Sequence, residues 1–295
     1  MAIFSINGKV LNPVSKKNFA NEKELQNLVE ANLEAIFGIR FLATEYTTSK
    51  NHGGRIDSLG IDENNSPVII EYKHHTNENI INQGLFYLDW LVDHKGDFQV
   101  LCQNKIAENV EIDFSSPRVL LIAESYNKYD EYAINRMAEN IELWKYVLND
   151  NNTIEFRLAA KSTNKPTASK TRISKVDYAD YTIEQHTAGK PKQIVEMFEQ
   201  IREWILNLND REVEEVCRKH YIAFKTTRAF AYFHLQKGAI KIHIIGGNDI
   251  QDPKHISRDV SNIGHYGYGS TEIIWKNPAD IDYVFNLIKQ AYNRL

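Results

Sequence analysis

Two segments with period-two alternation, Arg55–Ile61 and Val68–Lys73, are separated by the polar run Asp62-Glu63-Asn64-Asn65-Ser66-Pro67. Alternation predicts strands, and the Asn, Ser and Pro residues between them predict a turn that folds one strand back on the other. On the second strand Ile69, Glu71 and Lys73 share one face, and Val68, Ile70 and Tyr72 share the other. A hairpin centred between Asn64 and Asn65 sets Asp57 opposite Tyr72, beside both Glu71 and Lys73. Helical spacing appears on either side. Asn21–Phe37 carries Leu25, Leu28, Leu33 and Ile36 on its apolar face, with Asn21 as N-cap and Glu24 at the third helical position. Asn79–His94 carries Ile81, Leu85, Leu88 and Val92, with Gln83 and Tyr87 four apart on a neighbouring face. Further on, Phe98–Cys102 and Arg118–Ala123 read as short buried strands. Tyr129–Asn149 reads as a long helix with Ile134, Met137, Ile141, Trp144 and Leu148 inward, and Thr153–Ala160 as a last strand.

The pattern then changes. Residues 161–176 hold Lys161, Lys165, Lys170, Arg172 and Lys175, no acidic residue, and many Ser and Thr, which is the composition of a linker. Beyond it, Pro191–Leu208 has a helical apolar stripe of Ile194, Met197, Phe198, Ile201 and Ile205. Phe230–Gln236 and Ala239–Ile245 form a second hairpin around Lys237-Gly238, with Ala231, Phe233, Leu235, Ile240, Ile242 and Ile244 on its core face. The opposite face collects Phe230, Tyr232, His234, Lys241 and His243, a mixture of aromatic and cationic groups that suits nucleic acid when exposed. A final helix begins at Asn277-Pro278-Ala279-Asp280 and carries Ile281, Val284, Phe285, Ile288 and Tyr292. The expected organisation is a domain over 1–160, a basic polar linker over 161–189 and an α+β domain over 190–295.

Chemistry concentrates at the first hairpin. Two carboxylates and an ammonium converging at the end of a strand pair form an oxygen-rich cluster, expected to be solvated, that suits a hard divalent cation and a water. Glu-x-Lys has little meaning alone in a chain that is 25% charged, and Asp252-Pro253-Lys254 repeats the letters in a loop-like setting. The apolar strand before the pair and the second carboxylate opposite are what single it out. No Walker-type phosphate loop, Gly-rich dinucleotide fingerprint or zinc-type Cys/His spacing competes with it.

In combination, the helix, the hairpin with Asp57 and Glu71-Tyr72-Lys73, and the following helix with Gln83-Gly84-Leu85-Phe86-Tyr87 resemble the PD-(D/E)XK nuclease superfamily, in particular its DUF91/NucS-like endonuclease branch. The Gln-x-x-x-Tyr element is similar to one that follows the catalytic lysine in RecB-type nucleases. The resemblance covers about residues 20–160. It implies a restriction-endonuclease-like mixed sheet flanked by helices, an α/β (α+β) fold, and Mg²⁺- or Mn²⁺-dependent hydrolysis of DNA. Asp57 and Glu71 would ligate the metal, Lys73 would orient water and share charge, and a first-helix glutamate, Glu24 or failing that Glu30, would complete the shell. Gln83 would join the catalytic set. Arg55, Tyr87, His74, Lys170, Arg172, Tyr232 and Lys241 are the candidate nucleic-acid contacts. The Pro that usually precedes the Asp is replaced by Ile56. A homodimer is a further implication, RNA is not excluded as substrate, and a noncatalytic nucleic-acid-binding or sensor protein on a nuclease-derived scaffold, in repair or phage defence, is the competing reading. The C-terminal half resembles the DUF5655 domain found fused to such nucleases, where a recognition or regulatory role is expected.

Composition adds boundaries. The chain has 295 residues and a net charge of −4. Residues 1–160 hold 15 Lys and Arg against 23 Asp and Glu, and the remainder 20 against 16. Nucleic acid would therefore be held by local positive charge and metal rather than by a global field. Two distant cysteines, Cys102 and Cys217, and an N-terminus without a basic flank or apolar block point to a reducing, cytoplasmic setting with no disulfide framework and no membrane partner.

Overall fold

A mixed sheet runs through the first half of the chain in the order β3-β8-β7-β6-β5-β4, with β9 also paired to β8. The computed structural model describes residues 2–48, 53–74, 80–106, 110–162, 181–208, 212–264 and 267–295. The chain divides into two units, Met1–Ala179 and Asp180–Leu295. In the first unit the strands are β1 (Phe4–Asn7), β2 (Val10–Pro13), β3 (Lys16–Lys17), β4 (Arg40–Thr47), β5 (Arg55–Ile61), β6 (Pro67–Lys73), β7 (Arg118–Ala123), β8 (Ile141–Asn149) and β9 (Ile154–Lys161). The helices are α1 (Glu22–Glu30), α2 (Leu33–Phe37), α3 (Ile80–Asp93), α4 (Lys95–Lys105) and α5 (Lys128–Ile134). Strands β6, β7 and β8 run parallel to one another, and the remaining pairs are antiparallel.

Period-two alternation sorts the central strands between two helical layers. Val68, Ile70 and Tyr72 of β6, with Leu120 and Ile122 of β7, pack on Leu25 and Val29 of α1 and Leu33 and Phe37 of α2. Ile69, Val119 and Leu121 face the other way, against α3, Phe98 of α4 and Ile134 of α5. Each such fully buried side chain contributes about 1.5–3 kcal/mol. The fold is thus mixed α/β, as the sequence leads one to expect.

Three expected elements differ. Phe98–Cys102 lies inside helix α4, not a strand: only Phe98 and Cys102, one helical turn apart, are buried, while Val100 is 55% exposed. The predicted long helix over Tyr129–Asn149 is a short helix, α5, followed by strand β8. Strand β8 buries residues on both faces, so its near-continuous apolar run satisfies a helical spacing as readily as a strand one. The first helix is broken in two at Ala31-Asn32, where the Asn32 side chain donates to the Leu28 carbonyl and competes with the helical ladder. Leu28, expected inward, is 39% exposed.

The β5–β6 hairpin forms, shifted by one residue from the expected register. Its pairs run Ser58↔Ile70 to Ile61↔Pro67, which centres the turn on Asn64 and brings Asp57 level with Glu71 rather than Tyr72. The cause is the turn itself. Asp62 accepts the Asn64 and Ser66 N–H groups, and Asn65 takes φ +60°, closing a five-residue loop. The second Asp62 oxygen meets Arg118 of β7 at 3.3 Å, and Arg118 also reaches Glu142 of β8 at 3.0 Å. All three are buried, and the Trp144 indole donates to Glu142 at 2.9 Å.

In the second unit β10 (Glu214–Cys217), β11 (Ile222–Lys225), β12 (Ala229–Leu235), β13 (Ile240–Ile244), β15 (Thr271–Trp275) and β14 (Ser257–Asp259) form an antiparallel sheet in that spatial order. Helices α7 (Lys192–Leu206) and α8 (Ile281–Tyr292) cover one face, and short α6 (Ile183–Thr187) precedes them. Ile183 packs on this unit's core, so α6 belongs to it although a linker to residue 189 is expected. Most of that linker, with Lys165, Lys170, Arg172 and Lys175, lies outside the described residues.

Candidate active site

The main-chain ladder between β5 and β6 ends at Ser58↔Ile70, and side chains continue it. The Asp57 N–H donates to Glu71 Oε1 at 3.1 Å, and the Tyr72 N–H donates to Asp57 Oδ2 at 3.1 Å. The two carboxylates are thereby held in the gap where the strands part. Glu71 is fully buried, and among the described residues its Oε2 is a buried oxygen with no hydrogen-bond partner. Burial, then the charge of Asp57, push the Glu71 carboxyl up to about 9, against the opposing pull of the Asp57 N–H and Lys73. Burial also raises Asp57, with the Tyr72 N–H and Lys73 acting the other way. The cluster is a desolvated acid pair, not the solvated one expected from sequence.

Lys73 ends β6 and carries a side chain only 16% exposed. Its Nζ lies 3.1 Å from Glu22 Oε1 on α1, and Glu22 Oε2 accepts the His74 N–H at 3.3 Å. His74 Nε2 donates to the Phe19 carbonyl at 2.7 Å, so that ring is tied to the framework. Helix α1 also grips the other strand of the hairpin. Gln26, 3% exposed, donates to the Asp57 carbonyl at 2.8 Å and to Glu30 at 2.9 Å, while Glu30 accepts the Ser58 hydroxyl at 2.6 Å.

Glu24 is placed elsewhere. Its carboxylate accepts the N–H of Ala20, the residue before the N-cap Asn21, at 2.7 Å at the exposed start of α1. Glu22 and Glu30 are the first-helix acids that meet the hairpin. The cap signal at Asn21 and Glu24 already committed Glu24 to the backbone, and could have turned attention to Glu22.

Helix α3 closes the neighbouring side. The Arg55 N–H donates to the Tyr87 hydroxyl at 3.1 Å, and a Cβ at Gly54 would lie 2.6 Å from the Tyr87 ring, so this close approach requires glycine. Gln83 is half-buried one turn earlier on α3. The exposed Arg55 guanidinium pairs with Glu45 at 2.5 Å. Among the described residues no group of three His, Cys, Asp or Glu side chains is gathered as a metal cage. What the site offers a cation is two adjacent carboxylates, one with an uncommitted buried oxygen. That donor set fits a hard ion and nothing softer.

The outer face of the second hairpin is not an open platform. A bulge sets Lys225 opposite Ala229 and Phe224 opposite Ala231, which turns the extra residue, Phe230, into the core. Tyr232 is 1% exposed beneath Gly267, where an added Cβ would sit 2.6 Å from its ring, so it presents no face to a base. His243 is 2% exposed and Lys241 pairs with Glu272 at 3.0 Å. Glu272, itself 3% exposed, also takes Arg258 and lies 3.3 Å from His243 Nε2, while His243 Nδ1 lies 3.2 Å from His234 Nε2. Lys170 and Arg172 lie outside the described residues.

No helix among the described residues is long and apolar enough to cross a membrane. Residues 183–294 match a family described as a domain of unknown function, DUF5655. Among solved structures, a repair endonuclease from Pyrococcus abyssi is similar at TM-score 0.31 and 20% identity, over 44% of this chain and 49% of that one. EndoMS in apo form is similar at TM-score 0.30 and 16% identity, over 49% and 64%, and an EndoMS complex with double-stranded DNA at 0.27 and 18%, over 44% and 48%. The chain thus spans less than two thirds of each of those structures. A Haemophilus influenzae protein described as uncharacterized is 33% identical over 304 residues, 99% of both chains, and this protein belongs to one family with it, carrying a DUF5655 domain as its C-terminal part.

Proposed function

We propose that this protein is a divalent-metal-dependent endonuclease that hydrolyses phosphodiester bonds in DNA, with its C-terminal unit in recognition or regulation. The observation that carries the reading is the buried, uncommitted Glu71 oxygen beside Asp57, two residues before Lys73 on the same strand. An acid pair of this kind is costly unless a proton or a cation occupies it. Asp57 and Glu71 would hold Mg²⁺ or Mn²⁺, which when bound supplies charge neutralisation and a more acidic water. Glu71, with a carboxyl near 9, carries a proton at neutral pH and gives it up when a cation takes its place. Lys73, fixed by Glu22, is positioned to donate to a phosphoryl oxygen or an attacking water. Gln26 fixes the Asp57 main chain from behind, and Tyr87 fixes the start of β5. Glu22, rather than Glu24, is the α1 acid assigned to this set.

The test is cleavage of supercoiled, mismatched, branched and single-stranded DNA by the full chain with Mg²⁺, Mn²⁺ or excess chelator. Metal-dependent cleavage that disappears in Asp57→Asn and Lys73→Ala supports the assignment. Undiminished cleavage in chelator refutes it, and tight DNA binding with no cleavage under any metal establishes the noncatalytic alternative.

A further inference from the structure

Tyr129 and Tyr132 on α5 are 72% and 66% exposed. Single exposed apolar residues are ordinary, but two rings one helical turn apart form a patch that calls for an occupant. Each ring carries a cation: Lys128 Nζ lies 5.1 Å from the centre of the Tyr129 ring, and the Arg136 guanidinium 5.7 Å from that of Tyr132. Both cations are exposed, and among the described residues neither is in an ion pair. The acids of α5 are already committed, Asp130 to the capping box with Asn127 and Glu131 to Lys145 at 2.7 Å. The patch is therefore aromatic and positive.

Its position follows from the topology. Strand β7 runs parallel to β6 with Ala123 level with Lys73, so both strands end at one edge of the sheet. Four residues separate Ala123 from α5, and the Tyr126 hydroxyl pins that connection by donating to the Leu121 carbonyl. Ile134 of α5 joins the apolar layer on the α3 side of the sheet, the side that also holds Ile69. Helix α5 lies over β8 and β9, with its first residues close to the strand-end edge that Lys73 also occupies.

Resting on the nuclease reading above, we infer that α5 is a ledge on which unpaired bases of a DNA strand stack as that strand reaches the Asp57–Glu71–Lys73 edge. The rings offer π-faces that accept any base, and Lys128 and Arg136 neutralise the adjoining phosphates. The preferred substrate then contains single-stranded or unstacked nucleotides near the scissile bond, since in an intact duplex no base face is free to meet a protein ring.

The experiment measures binding of a labelled oligonucleotide to the full chain by fluorescence anisotropy with Ca²⁺ in place of Mg²⁺, single-stranded and as a complete duplex of the same sequence. Tyr129→Ala with Tyr132→Ala is expected to weaken single-strand binding about tenfold or more, while duplex binding changes less than about twofold. The Phe replacements at both positions are expected to restore wild-type affinity. Lys128→Ala with Arg136→Ala is expected to flatten the salt dependence of binding. Unchanged single-strand affinity in the double Ala variant overturns the ledge, as does an equal loss for strand and duplex, which would mark a general or protein-binding surface. If the wild type cleaves DNA yet the Ala variant binds normally, the ledge alone falls. If the wild type cleaves nothing but the Ala variant loses strand binding, the nuclease reading falls and the ledge stands.

Discussion

Glu71 in the first unit and Glu272 in the second are both buried carboxylates on sheet strands, and they are opposites. Glu272 has Lys241, Arg258 and His243 around it, and Arg258 and Lys241 outweigh the cost of burial and bring its carboxyl down to about 2. Glu71 has a main-chain N–H on one oxygen and no partner on the other, and sits near 9. Burial alone therefore says nothing about function. A buried acid whose neighbours supply its counter-charge braces the fold, and one left without it is where the proposed function puts a cation from solution.

The comparison breaks most visibly in activity. Asp57→Asn, Glu71→Gln and Lys73→Ala are each expected to lower the cleavage rate by about 1000-fold or more, some 4 kcal/mol of barrier. Glu272→Gln should cut DNA as the wild type does, and cleavage rates across the four proteins check both halves. In stability the ranking reverses. Glu272→Ala removes the buried acceptor shared by Lys241, Arg258 and His243 and is expected to cost about 1–3 kcal/mol in urea unfolding of the full chain. Glu71→Gln, which removes an uncompensated acid, is expected to unfold no earlier than the wild type. Metal gives the next effect. At 100 times its dissociation constant Mn²⁺ should add about 2.7 kcal/mol to the stability of the wild type and of Glu272→Gln, and none to Glu71→Gln, as read by thermal unfolding with and without the ion.

The dependence on pH is the most discriminating in sign. In metal-free protein the Glu71 carboxyl keeps a proton that the unfolded chain, at the usual 4.5, has released. Its contribution is therefore lost as pH rises from 4.5 towards 9. Glu272 is ionised in the fold while the unfolded chain binds a proton below 4.5, so its contribution is lost as pH falls from 4.5 towards 2. Urea midpoints of Glu71→Gln and Glu272→Gln against wild type across pH 3 to 9 should show these opposite slopes, and parallel slopes would undo the contrast.

The hairpin was legible because three local signals agree there: alternation on β6, a polar turn, and charged residues at the end of an apolar strand. The register was not, since it depends on Asp62 folding back on Asn64 and Ser66, a side-chain event that no alternation records. Strand β8 was misread because a strand buried on both faces has no polar side to betray its period. Its one clear irregularity, Glu142 among apolar neighbours, is explained by Arg118, a partner 24 residues away. Tyr232 was misread for the complementary reason: what covers it is the remote segment at Gly267, invisible in the alternation of its own strand.

The buried Arg118 bridge sets a schedule for the whole site. Asp57, Glu71 and Lys73 emerge early during synthesis, but the turn that aligns them is anchored through Asp62 to Arg118, 56 residues later, and through it to Glu142. Loop closure over that span is slower than closure of the hairpin itself. A chain cut short upstream of Glu142 carries the motif without its alignment. A fragment left by premature termination or proteolysis thus holds the acids of the proposed site and lacks the Arg118 and Glu142 frame that braces its turn.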